Sequence, residues 1–213
     1  MAMRIRDLMS RPVISVPPSM SLRDAWQIVR EHGFRHLPVA EGDRLVGMIS
    51  DRDLRDAAPS SLESRPDTTA FDRTPVRYVM ITPVETIGPD EPVEEAAALM
   101  LDRKVSALPV VDESGALVGI VSTSDLLRHL AVLTGVLASG SSRIEVRLPH
   151  DPGALGRLGG ALQQAGLCAL SLLSQPEGEG CRLILRLEGI DPRPAVESLR
   201  AAGFEVSWPG EGD

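Results

Sequence analysis

Two stretches of this 213-residue chain carry the same chemistry at the same spacing. Gly47-Met48-Ile49-Ser50-Asp51-Arg52-Asp53-Leu54 and Gly119-Ile120-Val121-Ser122-Thr123-Ser124-Asp125-Leu126 each end an apolar run with a hydroxyl and set a carboxylate three residues further on. Ser at an N-cap with Asp three residues later is a variant of the capping box, which by itself only starts a helix. The same arrangement can bind. A helix N-terminus offers unpaired N–H groups and positive potential to an anion. A carboxylate in its first turn can accept bonds from vicinal sugar hydroxyls, as in dinucleotide sites. A nucleoside phosphate uses both features, and their occurrence twice weakens capping as the whole explanation.

The two copies differ in charge. Arg52 stands between Ser50 and Asp53, and Arg35-His36 precede Leu37-Pro38-Val39; the matching positions hold Ser124 and Ser106-Ala107. Cationic donors strengthen bonds to phosphate, so the Asp53 side is expected to bind a phosphorylated ligand more tightly. The plain alternative is a solvated surface for Arg35 and Arg52 and a partly buried polar residue for His36.

The elements that must position these groups are repeated too. Ile5–Asp43 aligns without gaps on Val76–Ser114, and Leu45–Leu54 on Leu117–Leu126 after one inserted residue. Met9 falls on Met80, Pro12-Val13 on Pro83-Val84 and Leu37-Pro38-Val39 on Leu108-Pro109-Val110. In each copy a β-prone run (Val13–Val16; Val84–Ile87) precedes a proline-rich turn and an amphipathic helix. The first helix has Ser21 as N-cap, the stripe Leu22, Ala25, Trp26 and Val29, and Gly33 as its end. The second has Asp90 or Glu91 before Pro92 in the first turn, then Val93, Ala96, Ala97 and Met100. Two short buried strands follow (Leu37–Val39 and Leu45–Ser50; Leu108–Val111 and Leu117–Ser122), then a helix from Ser50 or Ser122. The unit is strand–helix–strand–strand–helix. Residues 57–74, rich in Ser, Pro, Thr and Asp, are expected to be a connecting loop. The helix from Ser122 is expected to reach about Leu137, with Ser139-Gly140-Ser141-Ser142 as a flexible link.

A different module follows. Arg143–Leu148 alternates as a strand with one wet face. Asp151-Pro152-Gly153 turns into a helix with the stripe Leu155, Leu158, Leu162 and Ala165, closed by Gly166. Strands at Leu167–Ser174 and Arg182–Leu187 flank a turn, Asp191-Pro192 opens a second helix ending at Gly203, and Phe204–Trp208 is the last strand. The order βαββαβ is ferredoxin-like. A tail from Pro209 to Asp213 is expected to be disordered.

The tandem units, with their Leu-Pro-Val strands and Gly-hydrophobic-hydrophobic-Ser-x-x-Asp endings, resemble a pair of CBS motifs over Ile5–Leu130. The resemblance implies a pseudo-symmetric disc with two clefts for adenine nucleotides (AMP, ADP, ATP) or S-adenosylmethionine. It implies Ser50 and Asp53 in one cleft and Ser122 and Asp125 in the other, on phosphate and ribose, with Ser15-Val16 and Thr86-Ile87 against the base. Arg143–Trp208 resembles an ACT domain, a module that often pairs across subunits and binds amino acids near its first loop, here Asp151 and Gly153. The Gly-x-Asn-Ile pattern common after the first ACT helix reads Gly166-Leu167-Cys168-Ala169, without the amide useful for amino-acid recognition. The combination resembles bacterial acetoin-utilisation regulatory proteins.

The expected domains are residues 1–138 for the CBS pair (motifs 5–56 and 76–130) and 143–208 for the ACT-like domain, α/β (α+β) overall. A net charge of −8, pI near 5.1 and 3% aromatics argue against nucleic acid, which needs a basic surface and stacking platforms. Cys168 and Cys181 give neither a disulfide framework nor a zinc spacing, and a hairpin between them would set Cys168 against Leu187. His32, His36, His129 and His150 are dispersed, without metal spacing. Nucleophile elbow, Walker loop and dinucleotide fingerprint are all absent. No apolar run is long enough to span a bilayer, and the first residues lack a signal-peptide core. The expected protein is a cytoplasmic, homodimeric regulatory sensor of adenine nucleotides, not an enzyme, without metal or prosthetic group. An amino-acid sensor working through the ACT-like domain and a ligand-free scaffold are the alternatives.

Overall fold

The computed structural model describes residues 3–59 and 68–208. They form two compact units, Met1–Leu127 and Arg128–Asp213.

The first unit opens with one turn, α1 (Ile5–Leu8). The stripe seen in the sequence becomes α2 (Leu22–His32), where Ser21 Oγ accepts the Asp24 N–H at 3.1 Å and Gly33, at φ +68°, ends the helix. A left-handed φ favours glycine, which has no Cβ to clash. Then come the antiparallel pair β1 (His36–Glu41) and β2 (Arg44–Ser50) and the helix α3 (Asp51–Ala57). The expected loop 57–74 is partly helical: α4 (Thr69–Arg73) buries Phe71, while residues 60–67 lie outside the described residues. The second copy gives α5 (Val93–Arg103), the pair β3 (Ala107–Val111) and β4 (Leu117–Ser122), and α6 (Thr123–Leu133). Pro92 occupies the N-cap of α5 rather than its first turn. α6 stops at Leu133, short of Leu137, because Gly135 turns the chain at φ +65°.

The runs Val13–Val16 and Val84–Ile87 do not form full strands. Each is reduced to one parallel bridge, Val16 to Val39 and Ile87 to Val110. Prolines on both sides, Pro12 and Pro17, Pro83 and Pro89, remove the N–H donors a longer ladder needs.

The repeats are threaded through each other. Ser10 bridges Ile120 on β4, and Ile81 bridges Met48 on β2, so each copy's lead-in pairs with the other copy's sheet. The cores follow the same crossing. Ile5, Leu8 and Met9 pack with Val93, Met100, Leu108 and Val121, whereas Phe71, Val76, Val79 and Met80 pack with Leu22, Val29, Leu37 and Ile49. The crossing explains the repeated glycine. A Cβ on Gly47 would stand 2.5 Å from Met80 Sδ, and one on Gly119 2.5 Å from Met9 Sδ.

The second unit holds one sheet: β5 (Ser141–Pro149), β6 (Ala169–Glu177), β7 (Gly180–Glu188) and β8 (Glu205–Trp208), in the order β6-β7-β5-β8. That is the ferredoxin-like order, with α7 (Ala154–Gln164) and α8 (Arg193–Ala201) inserted as βαββαβ. Ile144, Val146, Leu148, Leu183, Leu185 and Leu187 meet Leu158, Leu162, Val196 and Leu199 in its core. The strand β5 takes in Ser141 and Ser142, which the sequence suggested as a link. A tight β6–β7 turn puts Ala169 opposite Leu187 and Cys181 opposite Pro176, so both cysteines are free.

Candidate functional site

Both Ser-x-x-Asp endings fold into reciprocal caps. Ser50 N–H and Oγ–H donate to Asp53 Oδ2 at 2.8 and 2.6 Å, and Asp53 N–H donates back to Ser50 Oγ at 3.2 Å. Ser122 and Asp125 repeat this at 2.9, 2.6 and 3.4 Å. A carboxylate only accepts, so each hydroxyl proton is committed to its Asp. Neither serine can donate to a phosphate without giving up that bond. The Asp53 carboxylate keeps a capacity that Ser50 loses, since one oxygen, Oδ2, takes both cap bonds. Asp53 Oδ1 accepts none among the described residues. Capping and sugar binding are therefore compatible in one side chain.

Hydrogen bonding also uses most of the N–H groups at these helix starts. Asp51 N–H donates to the Arg35 carbonyl at 2.9 Å, and Thr123 N–H to the Ser106 carbonyl at 3.0 Å. The strand starts thereby fix the helix starts, because His36 pairs with Ser50 in register and Ala107 with Ser122.

His36 joins the copies. Its Nε2 lies 3.0 Å from the Oγ of Ser106, the counterpart of Arg35. Burial pushes its pKa below 6.5; Asp51 pulls it back up, Arg35 lowers it and Asp53 raises it. Burial thus disfavours the protonated ring that the sequence suggested as a phosphate donor. Arg35 is exposed, and Arg52 points outward to Asp56 at 3.7 Å, an exposed pair of small energetic value.

The base-framing positions divide by side chain. Val16 and Ile87 are buried in the two cores, and Ser15 and Thr86 are exposed. Val16 is held by its backbone, donating to Pro38 O and accepting from Ala40 N–H. Thr86 and Ile87 line a cavity of about 430 Å³ with Glu91, Glu95 and Asp102. The lining of this cavity includes neither Ser122 nor Asp125. In the second unit Asp151 lines a cavity of about 290 Å³ with His150 and Cys181, and Gly153 does not. The Asp151 carboxylate is held below the usual range by the Gly153 N–H and then by Arg157. Ser106 and the methionine–glycine contacts escape the sequence; only the match of Met9 with Met80 hints at the latter.

Two crossed α/β repeats with matching carboxylates at their helix starts, followed in the chain by a ferredoxin-like domain, define the class of protein: a paired α/β module with a C-terminal α+β domain. Residues 5–60 and 76–132 match the CBS domain, and residues 140–207 the TTHA0829-like ACT domain. The chain belongs to the CBS-domain family, as a tandem pair followed by an ACT domain.

It is 33% identical over 122 residues to the CBS domain-containing protein YhcV of Bacillus subtilis (strain 168), covering 57% of this chain and 81% of that one. It is 36% identical over 123 residues to the inosine-5′-monophosphate dehydrogenase of Korarchaeum cryptofilum (strain OPF8), 58% of this chain but 23% of the enzyme. The chain thus matches less than a quarter of that enzyme's length. A Vibrio cholerae protein assigned to acetoin utilization (AcuB) superposes with a TM-score of 0.55 at 29% identity, over 64% of this chain and 96% of that one. The CBS domain pair of MJ0100, solved with 5′-methylthioadenosine and S-adenosyl-L-methionine, gives 0.52 at 29% identity, over 62% and 98%. No helix among the described residues is long and apolar enough to cross a membrane.

Proposed function

We propose that the CBS pair is a regulatory sensor of adenine nucleotides of the AMP, ADP and ATP class, without catalytic activity, working in the cytoplasm. The observation that carries this is the reciprocal cap. It builds the same carboxylate twice, at 2.6 Å from its serine hydroxyl in each repeat, and in Asp53 it leaves an oxygen for ribose hydroxyls. The MJ0100 pair, similar in fold and sequence, binds two adenosine-containing ligands. Ribose goes to Asp53 and Asp125, and the base to the backbone near Ser15-Val16 and Thr86-Ile87. In the first cleft Arg35 and Arg52 take phosphate, Arg52 by leaving its weak pair with Asp56. Ser50 and Ser122 hold the carboxylates rather than the phosphate. The ACT domain dimerises the chain or takes a second effector beside Asp151. Ligand acts by preferring one arrangement of the module, and shifts it by no more than its difference in affinity.

A thermal-shift panel tests the reading. Adenosine, AMP, ATP, 5′-methylthioadenosine, S-adenosylmethionine and amino acids are each added to the full chain. A ligand at about 100 times its Kd stabilises the native state by about 2.7 kcal/mol. Shifts with adenosine compounds are expected. Shifts with amino acids alone would move the function to the ACT domain, and none at all would leave a scaffold.

A further inference from the structure

The segment leaving α6 is more apolar than its surroundings allow. Leu130, Val132, Leu133, Val136 and Leu137 are each 51–68% exposed. Residues 129–142 contain no Asp, Glu, Lys or Arg, in a chain whose net charge is −8. Single-domain surfaces rarely leave several large aliphatics together in water, so a segment with so little polar surface is normally covered.

The segment is also held still. The Thr134 carbonyl accepts from Ser171 Oγ at 2.9 Å and from Arg186 Nε at 3.1 Å, which pins the turn to β6 and β7. Gly135 fits against the same arginine; a Cβ there would lie 3.0 Å from Arg186 Cδ. A pre-ordered surface binds without the cost of ordering its side chains and loops.

We infer that residues 130–137 form a self-association surface whose occupant is the same segment of a second copy. Charge argues for it: two acidic chains repel over most of their surfaces, and here they can meet without burying a charge. The area is also appropriate. At roughly 100 Å² per fully exposed aliphatic side chain, the patch offers about 280 Å² per copy. Two copies bring about 560 Å² of the roughly 900 Å² of nonpolar area in a standard dimer interface. The patch is then the apolar centre, with polar neighbours as its rim. An acidic membrane surface fits poorly, because the segment has none of the Lys or Arg such binding uses.

The test places a single cysteine at Leu130, Leu133 or Leu137 in the full chain with Cys168→Ser and Cys181→Ser, and adds a short bis-maleimide. Covalent dimer from at least one of the three, with none from a cysteine at Ser198, is expected. In parallel, Leu130→Glu/Leu133→Glu is run by sedimentation equilibrium, where its dimer dissociation constant should rise at least tenfold while thermal-shift responses to ligand stay as in the parent. A dimeric parent that cross-links at none of the three positions, or a parent that is monomeric at high concentration, overturns the inference. Failure of nucleotide binding leaves it intact, since no ligand enters the readout.

Discussion

Asp53 performs two tasks in the proposed mechanism, and they can be separated. Asp53→Asn keeps an amide oxygen in place of Oδ2, so the bonds from Ser50 N–H and Oγ–H survive as bonds to a neutral acceptor. The loss in stability is then the carboxylate's attraction to the helix start, about 0.3–1 kcal/mol. Asp53→Ala removes the whole cap and costs about 0.5–2 kcal/mol. Binding responds differently. A ribose hydroxyl bonded to a charged acceptor contributes about 1.5–3 kcal/mol, so losing one such bond raises Kd roughly ten- to 150-fold. Calorimetry in an Asp125→Asn background leaves one cleft to report. There Asp53→Asn should weaken AMP within that range while barely moving the urea midpoint. A 2′,3′-dideoxy analogue should bind the parent as weakly as AMP binds the variant, and should be indifferent to the substitution. Equal affinity of AMP for parent and variant would refute the sugar assignment. So would an equal loss for the analogue, because a carboxylate that never met the hydroxyls cannot be sensitive to their removal.

Two further outcomes follow from the crossed packing and from His36. Gly47→Ala puts a methyl 2.5 Å from Met80 Sδ and 3.3 Å from the Ile81 carbonyl, an overpacking that costs about 1–3 kcal/mol. Adding Met80→Ala should return part of it, visible as a double-mutant cycle in urea unfolding; strict additivity would mean the two do not meet. The imidazole of His36 should titrate below 6.5 by NMR, and Asp51→Asn should lower it further by removing the carboxylate that favours its protonated form. The unfolded chain takes this proton first, so His36 lowers stability as pH falls below 6.5 and has no effect above it. A midpoint at or above 6.5 would contradict the burial of the ring.

The repeat, its hairpins and its helix stripes are legible because they are local: period, cap and turn residues lie within a few positions of what they determine. Ser21, Gly33 and Gly166 act where their types require. The reciprocal cap is legible for the same reason, as both partners sit within three residues. Lost from view are features set by contacts distant in sequence. Ser106 has nothing in its neighbourhood to announce a bond to a histidine 70 residues away. The five residues of α4 carry too little pattern to separate them from the turn-rich segment around them. Alignment of the copies reveals that Met9 matches Met80, but not which sheet either residue covers, since similarity between two repeats is the same whether each packs on itself or on its twin. The role of Ser50 is hidden for another reason. A hydroxyl beside a carboxylate looks like a phosphate donor until the direction of its proton is known.

The crossing also makes the pair of copies, rather than either copy alone, the unit that closes its cores. Without Ile5, Leu8 and Met9 the core of the second copy is open, and without Phe71, Val76 and Met80 so is that of the first. Neither copy closes its interior alone, and the crossing costs only short lead-ins of a few residues. Each segment proposed to frame the base therefore stands between two sheets. The first runs from Ser10, bonded to Ile120 on β4, to Val16, bonded to Pro38 and Ala40 on β1. Any displacement of Ser15 is borne by both. The likeness of the copies is broken where they meet, since the contact equivalent to His36 with Ser106 would join Ala107 to Arg35. Two pseudo-equivalent positions joined through such an unlike pair differ in donors, charge and burial before any ligand arrives. A repeated scaffold thus supplies the shared mechanics, and a few differences at the contact between the copies and beside one carboxylate make the halves chemically unequal.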